Sequence, residues 1–155
     1  MSIIFKWNCS IVYTKYFIKN EIKKKKYINE KKYLPTGLIT KNLLKKNLVG
    51  ISAVFIKKII FNKIKFDPQY QIIGDYDFFL KLSLVYKFYA IQQPLLTYRH
   101  HSNNFTNKNY NTYINELKNW IKNNKKIFEK KYNLNYLKIY ILKLKLKNIL
   151  TDLKL

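Results

Sequence analysis

A chain of 155 residues is long enough for one domain with a sizeable core, and an apolar content of 48% excludes wholesale disorder. Its 31 basic and 8 acidic residues leave a net charge of +23, which suits nucleic acid or an anionic membrane surface as a partner. Cys9 is the single cysteine, so an intramolecular disulfide framework is excluded. The charge also has a bland explanation. Lysine, asparagine, isoleucine, phenylalanine and tyrosine, whose codons can be built from A and T alone, dominate the chain, and the lysines are scattered instead of gathered. The opening "MSIIFKWNCS" has no basic leader or small-residue cleavage site, so no secretory signal is expected. No stretch reaches about 18 uncharged apolar residues, so no spanning helix is expected either. A cytoplasmic location is expected, and the basic C-terminal segment "LKIYILKLKLKNIL" suits equally an anionic membrane surface, with peripheral contact there, or a core-packing helix coated with lysine.

"CSIVYTKYFI" is β-branched and aromatic and reads as a strand. "KNEIKKKKYINEKKYLPTG" is charged, ends in a turn signal and reads as an exposed hairpin or loop. "LITKNLLKKNLV" places Leu38, Ile39, Leu43, Leu44 and Leu48 at helical spacing. A short strand is predicted over Ala53–Ile56 and a short helix over Lys57–Asn62, followed by a turn at "FDPQY". "GDYDFFLKLSLVYKF" is the clearest helix. Asp75 and Asp77 fall in its first turn, where the dipole favours negative charge, and Phe78, Phe79, Leu82, Val85 and Tyr86 form one apolar face. "YAIQQPLLTYRHH" reads as two extended segments separated by a break at Pro94, and "SNNFTNKN" as a loop. The remainder is predicted helical, with Leu117, Trp120, Ile121 and Phe128 near one face; "YLKIYILKLKLKNIL" alternates like a strand, but its length and position favour a helix.

Acids are scarce, which makes their placement informative. Between Lys31 and Glu116 the only ones are Asp67, Asp75 and Asp77. Asp75 suits an N-cap, and it equally suits a general base at a loop-to-helix junction. Asp77 suits the helix dipole and an ion pair with Lys81. Arg99 is the only arginine and stands beside the only histidines, His100 and His101. A surface cluster explains them. So does an anion or metal site, because guanidinium forks match phosphate and neutral imidazole binds metals.

Taken together, these segments resemble the C-terminal half of family 2 glycosyltransferases with the GT-A fold. "SAVFIKK" matches that family's small-residue lead into V-x-I-K/R-K/R, and "KFDPQY" its phenylalanine-aspartate turn. "GDYDFFLKL" matches its acidic motif and following helix, and "PLLTYRHHSNN" its P-L-x-x-Y-R-x-H-x-x-N stretch. The resemblance covers roughly residues 9–107. It implies an α/β fold in the form of an incomplete GT-A-like domain: a mixed-sheet remnant with flanking helices, plus C-terminal helices. Residues 1–107 would be the acceptor half and 108–155 a helical extension. Asp75 would be the catalytic base of an inverting transfer. His101, closing Y-R-x-H, would touch the divalent metal, Mg or Mn, of the complete enzyme. Arg99 would lie near the donor diphosphate or brace the loop. Gly74 departs from the glutamate that often precedes the base.

The family's P-x-Y/F-N loop and Asp-x-Asp metal motif have no counterpart in the chain, and Ile3, Ile4 and Trp7 suit the end of a helix leading into the first strand. The expectation is a fragment of a hexosyltransferase of surface polysaccharide or glycolipid synthesis. It would be inactive alone, bind no metal alone, and carry an exposed apolar sheet edge. Its partners would be a nucleotide-sugar donor, a glycan or lipid-linked acceptor and a separately encoded N-terminal half. The alternatives are a basic nucleic-acid-binding module, with tyrosines for stacking, and a non-functional gene remnant. Nucleic acid is the weaker partner, because no recognised nucleic-acid motif is present.

Overall fold

The computed structural model describes residues 9–152, and the expected helix end at Ile3, Ile4 and Trp7 lies outside them. The chain divides into two compact units. One comprises residues 9–67 with 75–102, and the other residues 68–74 with 103–152. The protein is of the α/β class, with a small open sheet and flanking helices.

The first unit is built around β1 (Ile11–Asn20). Its first five residues, Ile11 to Lys15, are all buried, so this half of the strand is covered on both faces. β4 (Phe88–His100) runs parallel along its whole length. The opposite edge is shared end to end by two short antiparallel strands. β2 (Lys25–Ile28) pairs with Phe17–Asn20, and β3 (Val54–Ile56) with Ile11–Tyr13. β1 and β2 form the hairpin expected from the lysine-rich stretch. At its turn the Asn20 side chain accepts the Lys23 N–H at 2.8 Å, and Lys24 takes a positive φ of 47°.

Pro94 does not break the second extended segment. β4 is continuous through it, and the proline is absorbed by a register shift, because Ile91 to Thr97 stand opposite only Thr14 to Phe17. Proline is tolerated there because a bulged edge strand has no ladder bond to lose. The sheet edge expected to be open is partly covered. The Leu34 N–H donates to Gln92 Oε1 at 2.9 Å, the Gln92 amide donates back to Leu34 O at 3.0 Å, and Gly37 exchanges backbone bonds with Phe88. The turn-signal stretch thus covers part of the free edge of β4.

Among the described residues three α-helices accompany the sheet: α1 (Thr40–Lys45), α2 (Lys58–Lys63) and α3 (Gly74–Ser83). α3 buries every residue from Tyr76 to Leu80, not one face of the helix. It ends at Ser83, so Val85 lies beyond it and is 66% exposed. The Ser83 hydroxyl lies 2.9 Å from Thr40 Oγ1, and Thr40 in turn donates to the Ser83 carbonyl at 2.9 Å. These bonds tie α1 to α3 within the core.

The second unit is an antiparallel helix pair, α5 (Tyr110–Phe128) and α6 (Asn135–Asp152). Before it, the segment expected as a loop forms one helical turn, α4 (Phe105–Lys108). Tyr110, Ile114, Leu117, Trp120 and Phe128 form the buried stripe of α5, and Leu137, Ile141 and Leu144 that of α6. The helices are joined across their flank by the Tyr113 and Tyr140 hydroxyls, 3.1 Å apart, and by Lys147 above the Tyr110 ring.

Candidate functional site

Asp75 is the second residue of α3, not its N-cap. Its Oδ1 accepts the N–H of the next residue, Tyr76, at 2.6 Å. The carboxyl group is half-buried in the wall of a cavity of about 280 Å³. Tyr16 from β1, Leu96 and Tyr98 from β4, and the loop from Asn47 through Ser52 form the remaining wall. Burial pushes the Asp75 carboxyl above the ordinary carboxylate range, against the bonds from its own N–H and that of Tyr76. Burial also raises the Tyr16 hydroxyl, against the Asn29 side chain, and the neighbouring Tyr98 and Asp75 add to the rise.

The cavity is shaped by small local choices. Tyr16 and Tyr98 meet edge to face, with centroids 6.5 Å apart. Asn29 fixes the Tyr16 backbone: its Oδ1 accepts the Tyr16 N–H at 2.9 Å, and its own N–H donates to the Tyr16 carbonyl at 2.9 Å. Gly50 leaves room for the Tyr16 ring. The result is a mainly apolar recess, walled in part by two tyrosines, with one carboxyl group whose pKa is raised by burial.

Asp77 is fully buried and paired with Lys81 at 2.7 Å, as the i,i+4 spacing predicts. Asp67 lies 3.7 Å from the same ammonium. This trio is structural, because Asp77 is not among the residues lining the Asp75 cavity.

Arg99 is placed elsewhere. Its Nε and Nη2 both donate to Glu21 Oε1 at 3.0 Å, and the Glu21 N–H donates to the His100 carbonyl at 2.9 Å. The arginine therefore braces the β1–β2 turn against the end of β4. Residues alternate along the regular end of β4, so Arg99 faces away from the side that carries Leu96 and Tyr98 to the cavity. Arg99 holds the Glu21 carboxyl below its usual range, and His101, just past the strand, acts in the same direction. Neither Arg99 nor His101 lines the Asp75 cavity. Among the described residues no three His, Cys, Asp or Glu side chains converge as a metal site. No step below runs through a metal.

In the second unit, Glu116 is a buried carboxylate at the middle of α5. It accepts the backbone N–H groups of Gln71, Ile72 and Ile73 at 2.7, 3.0 and 3.0 Å. Sequence pattern alone does not single out Glu116, Tyr16, Tyr98 or Gly50. The scarcity of acids and glycines was the signal available for two of them.

No protein-family model, curated protein or solved structure matches the chain.

Proposed function

We propose that this chain is the acceptor-side part of an inverting, nucleotide-sugar-dependent glycosyltransferase resembling family 2, with an incomplete GT-A-like fold and Asp75 as general base. The observation that carries the reading is the Asp75 carboxyl group, raised in pKa and set in the wall of a cavity sized for a sugar ring. Tyrosine rings offer flat apolar faces with hydroxyl tips, which suit a sugar's mixed surface. An acceptor hydroxyl seated there gives its proton to Asp75 as its oxygen bonds to the donor's anomeric carbon. The nucleoside diphosphate leaves from the opposite face with the electron pair of the broken C–O bond. A nucleotide-binding half brings that donor. Arg99 and His101 remain assigned to the donor's diphosphate and metal side through the resemblance alone.

Two measurements test this. Titration of the chain with oligosaccharides is expected to shift the NMR signals of the Tyr16 and Tyr98 rings, and Gly50→Val is expected to abolish the shifts. No shift with any sugar at millimolar concentration would defeat the acceptor site. Incubation of the chain alone with a panel of nucleotide sugars and Mg²⁺ or Mn²⁺ is expected to yield no transfer, and robust turnover would defeat the need for a second half.

A further inference from the structure

α6 carries two apolar faces. Leu137, Ile141 and Leu144 are buried, whereas Ile139, Leu142, Leu146, Ile149 and Leu150 are each more than half exposed. At about 100° per residue the two faces are centred roughly 160° apart. α5 occupies the first, and among the described residues nothing in its own unit covers the second. Lysines separate them on both shoulders. Lys138 and Lys145 run along one side of the exposed stripe, and Lys143 and Lys147 along the other. Isolated exposed leucines are ordinary, but five in register between two rows of ammonium groups are not.

Charge decides the occupant. A second copy of the stripe would bring lysine rows against lysine rows, at a repulsive cost. A phosphate backbone would meet five aliphatic side chains instead of donors. An anionic lipid surface satisfies both halves of the pattern. The aliphatic stripe enters the acyl boundary, while the lysine stems lie along it and their ammonium groups reach the lipid phosphates. No helix among the described residues is long and apolar enough to cross a membrane, so α6 would lie in the plane of the surface.

We propose that the outward face of α6, Ile139, Leu142, Leu146, Ile149 and Leu150 with the flanking lysines, is a docking surface for anionic phospholipid membranes. The proposal stands independently of the reading of Asp75. The test is flotation of the full chain with phosphatidylcholine vesicles, with and without phosphatidylglycerol. Binding is expected only with the anionic lipid and is expected to fall at high salt. The combined variant I139Q/L142Q/L146Q/I149Q keeps the net charge and removes the stripe, and its partitioning is expected to fall at least about tenfold. The variant K138Q/K143Q/K145Q/K147Q is expected to lose about as much. Leu146→Trp gives a readout that leaves the fold alone, and its emission is expected to shift to the blue on adding anionic vesicles. Failure of the wild type to float, equal flotation of the stripe variant, or an unshifted Leu146→Trp emission would each overturn the proposal. A dimer in solution that the stripe variant abolishes, without flotation, would assign the face to a second copy instead.

Discussion

The Tyr16 ring lies so close to Gly50 that a Cβ built on the glycine would stand 3.1 Å from Cε1 and 3.5 Å from the hydroxyl oxygen. No φ value demands glycine at this position. The requirement is steric, and it sets how far the tyrosine reaches over the Asp75 cavity. Gly50→Ala is therefore expected to displace the ring and to destabilise the protein by about 1 kcal/mol. Thermal unfolding and the Tyr16 ring signals measure both effects, and Gly50→Val is expected to produce larger ones.

Asp75→Asn probes the raised carboxyl group. Burial makes the folded-state pKa higher than the unfolded one, so the folded state pays a penalty once the group ionises. That penalty is absent below the unfolded value, where both states are protonated, and fully present above the folded value. The asparagine variant keeps an oxygen for the Tyr76 N–H. It is expected to melt above the wild type at neutral pH, with the advantage vanishing in acid. Equal melting curves at every pH would remove the physical basis for Asp75 as a base.

Glu116→Ala would leave three backbone N–H groups without their carboxylate. The Ile73 bond is buried and the other two are partly so, and a loss of about 2 kcal/mol is expected in urea unfolding. Glu116→Gln keeps an acceptor oxygen but loses the charge, so a smaller loss is expected.

Arg99→Gln separates bracing from chemistry. Arg99 holds Glu21 below its ordinary range, so the pair stabilises the fold above the unfolded glutamate pKa, and that contribution is lost as the pH falls through the folded one. The variant is expected to bring the Glu21 titration, followed by carboxyl NMR, back toward the ordinary value. The Arg99 side chain is largely exposed and Glu21 partly so, and the stability change is expected to be small and to fade in salt.

Local pattern was a good guide wherever one periodicity ruled a segment. β1, the short strand and helix after Gly50, and α5 all lie where side-chain alternation or helical spacing places them, whereas α6 is a helix despite a strand-like Leu-Lys alternation that its length and position outweigh. It misled where a neighbour changed the outcome. Pro94 reads as a break until β1 is seen to accept a register shift. Val85 reads as part of an apolar helix face until the helix ends two residues before it.

By itself the sequence determined the chain's extreme basicity, the succession of strands and helices, and the position of the acidic pair at the head of α3. These depend on residues close together in the chain. Only the tertiary structure decided which of the scarce charged groups share a site. Glu21 and Arg99 are 78 residues apart and form one ion pair, whereas Asp75 sits with Tyr16 and Tyr98 instead. The reason is physical. Burial, ring packing and strand register bring distant residues onto one surface, and none of them leaves a mark at short range in the chain. The stretch that holds Arg99 is divided by the same geometry: alternation along β4 turns Tyr98 toward the cavity and Arg99 toward the hairpin turn.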